Sequence, residues 1–131
     1  MLFSEVYPTI RWNFTWDKYV VVGVPDGITD NFVYEFKTTS SEFLMRMQHS
    51  VFFTQGDFYG YFFRRPKKRI QVLVKGDTEA RTWMENVDAS NAIDTLKKFK
   101  EVDEGGEVKP PKSWKCKRCE FREKCPICPL K

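Results

Sequence analysis

The fold of this chain is decided by residues 19–37, Tyr19-Val-Val-Val-Gly-Val-Pro-Asp26-Gly-Ile-Thr-Asp-Asn-Phe-Val-Tyr-Glu35-Phe-Lys37. The uninterrupted apolar run at residues 19–24 is typical of a central strand. Asp26-Gly27 and Asp30-Asn31 favour turns, so the chain is expected to reverse there into a second strand at residues 32–37. This stretch therefore predicts an antiparallel pair in which Asp26 ends the first strand and Glu35 and Lys37 lie on the second.

Further elements are predicted on both sides of this stretch. Alternation at residues 9–16 indicates another strand, so three antiparallel strands should form a meander. Apolar and amide residues recur at helical spacing over residues 41–63, with Ser40 or Ser41 as N-cap. The face predicted to pack on the sheet comprises Leu44, Gln48, Val51, Gln55, Phe58, Tyr59 and Phe62. The later elements are a strand at 69–75, an edge strand at 81–87 and a helix from the N-cap Asp88 to Gly105-Gly106. The expected class is α/β (α+β).

Composition limits the class of protein. The chain has 131 residues, 41% of them hydrophobic and 16% aromatic, which indicates a small globular domain and excludes a disordered chain. No apolar run reaches the length of a membrane span, and the start lacks the pattern of a signal peptide. We therefore expect an intracellular, cytoplasmic protein with no membrane partner. The net charge of +4 is too mild to identify a ligand.

An acidic pair and a lysine carry the main chemical prediction. Glu35 and Lys37 are two residues apart, so they project from one face of their strand. The hairpin should bring Asp26 back toward Glu35, and two carboxylates form a hard oxygen site suited to Mg²⁺ or Mn²⁺. Lys37 would orient or deprotonate a water, or neutralise a phosphate. The alternative is an ordinary surface strand with a Glu–Lys pair.

The following helix offers two more candidates. Gln55 and Tyr59 are four residues apart and are expected to face the sheet, where an amide and a phenol would hold a water or a phosphate. The alternative is a hydrogen-bonded contact between helix and sheet. His49, the only histidine, is expected to be a partly exposed helix residue rather than a metal ligand.

Two basic clusters are candidates for contacts with phosphate groups. One consists of Arg64, Arg65, Lys67, Lys68 and Arg69, and the other lies within residues 109–124 and includes Lys117 and Arg118. Solvated loops that keep the protein soluble are an equal alternative for both.

All four cysteines, Cys116, Cys119, Cys125 and Cys128, lie within thirteen residues near the C-terminus. Such clustering favours metal ligation over a disulfide framework, which would join distant segments. Four thiolates can hold a [4Fe–4S] cluster or one Zn²⁺. The short loop between the two Cys pairs and the Cys-Pro steps favour iron–sulfur. The expected organisation is a core at residues 1–108 and a Cys-rich tail at 109–131 packed on it.

Taken together, four motifs resemble the PD-(D/E)XK nuclease superfamily, and specifically its CRISPR-associated RecB-like exonuclease branch, the Cas-four family. They are Gly23-Val-Pro-Asp26, Tyr34-Glu35-Phe-Lys37-Thr-Thr, Gln55-x3-Tyr59 and Cys116-x2-Cys119-x5-Cys125-Pro. The resemblance implies a restriction-endonuclease-like core, a mixed sheet flanked by helices, with an iron–sulfur cluster. It implies Mg²⁺- or Mn²⁺-dependent exonuclease, and in part endonuclease, hydrolysis of DNA, on single strands or DNA ends.

The resemblance also assigns roles and partners. Asp26 and Glu35 would bind the metal, Lys37 would be the catalytic lysine, and Gln55 and Tyr59 would be the supporting motif. Members of the family process DNA for CRISPR spacer acquisition or repair, with integrase proteins as partners.

The chain departs from the family at its start. The 25 residues before Asp26 contain neither the metal-binding His nor the first cluster Cys that the family supplies upstream. We expect a weaker metal site or a slow nuclease, with Cys128 as the replacement ligand. The alternatives are a catalytically weak or inactive DNA-binding subunit of the same fold, and a zinc-stabilised interaction domain.

Overall fold

The computed structural model describes residues 11–109 and 113–130. Its strands are β1 (Trp12–Trp16), β2 (Tyr19–Gly23), β3 (Gly27–Ile28), β4 (Phe32–Thr39), β5 (Lys67–Val74) and β6 (Arg81–Asn86). Its helices are α1 (Glu42–Phe63), α2 (Ala89–Asp103) and α3 (Ser113–Cys116). The predicted mixed class of helices and strands is confirmed, whereas residues 9 and 10 of the first predicted strand lie outside the described residues. The chain divides into two compact units, residues 1–94 and 95–131.

The strands form two separate sheets. β1 and β2 form an antiparallel hairpin, and a four-stranded mixed sheet has the order β3-β4-β5-β6. β4 pairs in parallel with β5, while the other two pairings are antiparallel. The predicted three-stranded meander is therefore wrong, because β4 pairs with the two-residue β3 and not with β2. Pro25 follows the apolar run, and a residue without an N–H cannot continue a ladder.

The core of residues 1–94 lies between β5 and α1. Every second residue of β5 is buried, from Lys68 to Val74, which is the period of a strand with one covered face. The parallel pairing of β4 and β5 requires a crossover, and α1 supplies it. Phe52 and Trp83 pack at the margin of this core. Its buried members are Met45, Phe53, Ile70, Val72 and Val74.

Helix α1 begins and ends with identifiable caps. The Ser41 hydroxyl accepts a hydrogen bond from the Leu44 amide at 3.2 Å, which confirms one of the two predicted N-caps. Arg64 ends the helix in the left-handed conformation, with φ of 56°. The buried residues of the helix are Met45, Phe53, Gly56, Asp57 and Gly60.

The face of α1 that is buried in the structure differs from the predicted one. Val51 is exposed, and Gln55 and Tyr59 are only half-buried. Gly56 lies close against the sheet. A Cβ added to it would be only 3.0 Å from Cδ1 of Ile70. The helix therefore approaches the sheet through small residues, which the spacing of its large apolar residues does not reveal.

The β1–β2 hairpin packs on the end of α1. The ring of Phe14 lies 5.0 Å from that of Phe62 and 4.9 Å from that of Phe63. Trp12 meets Phe63 edge-on at 5.5 Å. Aromatic packing thus fixes β1, and β1 pairs along its length with β2, the strand that leads to Asp26. Among the described residues, no helix combines the length and the apolar character needed to cross a bilayer.

Candidate active site

The short β3–β4 ladder brings the two predicted carboxylates together. Gly27 lies opposite Tyr34, which places Asp26 beside Glu35. The Phe36 amide donates to Oδ2 of Asp26 at 2.8 Å, and the Asp26 amide donates to Oε1 of Glu35 at 3.4 Å. Each carboxylate is therefore oriented by the backbone of the other strand.

Lys37 completes this group. Its Nζ lies 3.1 Å from Oε2 of Glu35 and 5.9 Å from the centre of the Phe52 ring. Val33, Glu35 and Lys37 lie on the predicted common face, and the first two are buried. The structure thus brings Asp26, Glu35 and Lys37 to one place.

Glu35 is in an unusual environment for a carboxylate. Its residue is 2% exposed, and burial raises its pKa from 4.5 to about 6, with a further increase from the nearby charge of Asp26. Lys37 acts in the opposite direction but offsets only part of this increase. Glu35 pairs with the ammonium group of Lys37 and is also close to the charge of Asp26, so a further cation would relieve the repulsion between the two carboxylates.

These residues fit a hard divalent cation. Mg²⁺ binds through one or two carboxylates and keeps several waters, so Asp26 and Glu35 are a sufficient protein contribution. Within residues 11–109 and 113–130, no three His, Cys, Asp or Glu side chains are grouped as a ready-made metal cage. A cation held by Asp26 and Glu35 would take its remaining ligands from solvent or substrate oxygens.

Tyr59 acts on the backbone next to the acidic pair. Its hydroxyl donates to the Val24 carbonyl at 3.2 Å, two residues before Asp26. A Cβ on Gly23 would be 2.7 Å from Cε1 of Tyr59, so the close approach of the ring requires glycine. For Tyr59, this geometry agrees with the alternative prediction of a hydrogen-bonded contact between helix and sheet. Gln55 is half-buried.

His49 is a packing residue. Its ring centre lies 4.0 Å from that of Phe53 and 5.4 Å from that of Trp83. The expected partly exposed helix position is confirmed by its intermediate burial.

The basic cluster at residues 64–69 requires a correction at Lys68. This lysine is 4% exposed, and its Nζ lies 2.5 Å from Oδ1 of Asp57, so it is not available to a phosphate. The physical reason is the strand period, which turns Lys68 to the same face as Ile70.

The other four cations of this cluster differ in availability. Arg64 and Lys67 are exposed. Arg65 donates to the carbonyls of Thr29 and Phe63, each at 2.7 Å. Arg69 stacks over the rings of Phe32 and Tyr34 at 5.9 and 5.6 Å. Arg64 and Lys67 are thus the cations of this cluster most open to solvent.

Asp57 is a buried residue whose role none of the sequence motifs predicted. Besides Lys68, it accepts hydrogen bonds at 2.9 Å from the Asp88 amide and from Nδ2 of Asn91. It therefore joins α1 and β5 to the start of α2. The signal for its burial in the sequence was its position between Gly56 and Gly60, two small residues on the buried face of α1.

The four cysteines lie in two tight turns within residues 95–131. The Cys119 amide donates to the Cys116 carbonyl at 3.2 Å, and the Cys128 amide to the Cys125 carbonyl at 3.4 Å. Cys116 and Cys128 are buried, and all four are free thiols. Burial raises the pKa of the Cys116 thiol, as do a hydrogen bond with Cys128 and the neighbouring Cys119 and Cys125. Cys116 thus lies near the other three thiols, although no three His, Cys, Asp or Glu side chains of the described residues are grouped as a metal site.

Comparison with known proteins supports the fold. The chain matches no protein-family model and no curated protein. It is similar to a solved structure titled "Crystal structure of SSO0001", with a TM-score of 0.66 and 20% sequence identity. The match covers 95% of this chain and 61% of the other, so this chain spans less than two thirds of that protein's length.

Proposed function

We propose that the protein is a metal-dependent DNA nuclease of the PD-(D/E)XK type, similar to the RecB-like exonucleases of the Cas-four family. The observation that carries the proposal is the convergence of Asp26, Glu35 and Lys37 at the end of one hairpin. Asp26 and Glu35 would hold Mg²⁺ or Mn²⁺. When bound, such an ion lowers the pKa of a water and neutralises charge on the scissile phosphate.

The chain's own residues position the reactants. Glu35 keeps Lys37 beside the carboxylates, so the ammonium group is available to orient the attacking water or to neutralise the phosphate. Tyr59 holds the Val24 carbonyl and with it the backbone that enters Asp26. Burial of Glu35 keeps water away from one side of the pair, which strengthens electrostatic interactions there.

The four cysteines are proposed to hold a [4Fe–4S] cluster, with one Zn²⁺ as the alternative. Their donor set suits either group, because both take four thiolates. The role would be structural, holding together the turns that contain the four thiolates.

The deciding experiment is cleavage of end-labelled single- and double-stranded DNA in Mn²⁺. Wild type should cut, whereas Asp26→Ala and Lys37→Ala should lose at least about 10²-fold in rate. Matched controls are Asp30→Ala and Lys75→Ala, which change exposed residues of the same types outside the group and should cut normally. Circular dichroism establishes that each variant is folded.

Binding of Mn²⁺ tests the same site without DNA. Calorimetry should detect one site in wild type and none in an Asp26→Asn/Glu35→Gln double variant. Equal cleavage by wild type and both site variants would refute the proposed nuclease. Binding of DNA without cleavage in any divalent metal would favour the DNA-binding alternative.

A further inference from the structure

A surface on residues 114–124 combines exposed aromatic rings with positive charge. Phe121 is 65% exposed and Trp114 is 38% exposed, although both are large apolar side chains. Residues 114–128 carry five basic and two acidic residues, a net charge of +3 within a chain whose total is +4. Most of the protein's excess positive charge thus lies in the sequence segment that carries these two exposed rings.

The turns of this segment explain why these side chains point outward. Successive turns place the amides of Cys119 and Arg122 on the carbonyls of Cys116 and Cys119, both at 3.2 Å. Cys116 and Cys128 are buried, and most of the residues between them are exposed. Lys115, Lys117, Arg118 and Lys124 are all exposed.

Not every cation is available. Arg122 donates to the Leu130 carbonyl at 3.1 Å and stabilises the segment itself. Lys115 lies 5.7 Å from the centre of the Trp114 ring, so ring and charge are presented together. This arrangement suits a ligand that offers flat rings and phosphates alternately.

We propose that residues 114–124 form a binding surface for single-stranded DNA, with Trp114 and Phe121 stacking on bases and Lys117 and Arg118 contacting phosphates. Unpaired bases expose the faces that such rings bind, whereas duplex DNA hides them. The inference rests on the proposed function only in choosing DNA as the nucleic acid. Its test measures binding, so its failure is distinct from a failure of cleavage.

The test uses fluorescence anisotropy of a labelled single-stranded oligo-dT, with the full chain carrying Asp26→Ala to prevent cleavage. Added Phe121→Ala should weaken binding at least about fivefold, the lower range for losing one stacked base. Phe121→Trp should retain affinity, while Phe121→Leu, which keeps an apolar side chain, should lose it. Phe43→Ala is the matched control, because Phe43 is an equally exposed phenylalanine outside this segment.

Salt dependence tests the phosphate contacts. Lys117→Gln/Arg118→Gln should reduce the slope of log K against log salt by about 0.7 for each lost contact, whereas Lys75→Gln should leave it unchanged. Wild-type affinity in Phe121→Ala or in Phe121→Leu would overturn the proposal. Preferential binding of oligo-rU or of duplex DNA would overturn the assignment to single-stranded DNA.

Discussion

At the scale of the residue, Glu35 is a carboxylate on the buried face of β4, next to the fully buried Val33. Burial and the charge of Asp26 raise its pKa to about 6, above the ordinary 4.5. A raised acid pKa means that the folded protein holds the proton more tightly than the unfolded chain. Its contribution to stability is therefore complete below pH 4.5 and is lost as the pH rises through about 6.

The first prediction concerns Glu35→Gln in the absence of divalent metal. The substituted amide cannot ionise, so relative to wild type the variant should gain about 2 kcal/mol in free energy of unfolding as the pH rises from 4.5 through about 6. Urea unfolding in EDTA at several pH values measures this difference. Glu85→Gln, on an exposed position of β6, should show no such trend. A difference for Glu35→Gln that does not vary with pH would contradict the assigned environment.

The second prediction concerns the contact between Gly23 and Tyr59. Gly23→Ala would place a methyl group 2.7 Å from the ring, which should cost about 1–3 kcal/mol of stability and reduce cleavage by displacing Val24 and Asp26. In a Tyr59→Ala background the ring is absent, so most of that cost should disappear. A double-mutant cycle by urea unfolding measures the coupling. Equal costs in both backgrounds would show that the ring does not require the glycine.

At the scale of the element, Asp57 connects three segments through one carboxylate. It receives Nζ of Lys68 from β5 and the Asp88 amide at the start of α2. Asp88 also caps that helix, because its Oδ1 accepts from the Asn91 amide at 3.1 Å, as predicted. The start of α2 is thus attached to α1 and β5 by polar contacts.

The third prediction follows for Asp57→Ala. The change leaves Lys68 buried without a counter-ion, so it should cost about 3–5 kcal/mol of stability. Asp57→Asn keeps an acceptor oxygen and should cost less. Asp94→Ala, at an exposed position of α2, should stay within about 0.5 kcal/mol of wild type. Thermal unfolding of the three variants provides the ranking, and equal losses at residues 57 and 94 would refute the role of Asp57.

Sequence periodicity predicted the strands and helices better than it predicted which strands pair with each other. The spacing of Glu35 and Lys37 and the turn after Asp26 were sufficient to place three charged groups together. The pairing of β4 with β5 was not predictable in this way, because the whole of α1 separates the two strands in the sequence. Lys68 looked like one member of a basic run, and its buried partner Asp57 lies eleven residues away. Long-range pairs of this kind leave no local pattern.

At the scale of the whole molecule, the chain carries two sets of proposed metal ligands with different chemistry. Asp26 and Glu35, within residues 1–94, offer hard oxygens. The four cysteines, within residues 95–131, offer soft thiolates. Oxygen ligands select Mg²⁺ or Mn²⁺, whereas thiolates select iron–sulfur clusters or zinc. The two sets should therefore respond independently to chelation and to mutation.

The fourth prediction uses this difference. In protein purified without oxygen, EDTA should abolish cleavage while leaving about four iron atoms per chain and the visible absorbance of the cluster. Cys128→Ser should lose the iron as fully as Cys116→Ser, because Cys128 is the proposed fourth thiolate and is buried like Cys116. Asp26→Ala should lose cleavage and keep its iron. Elemental analysis of the same samples measures iron and zinc together. One zinc per chain that EDTA removes would overturn the iron–sulfur assignment in favour of zinc. Full iron content in Cys128→Ser would exclude that residue as a ligand.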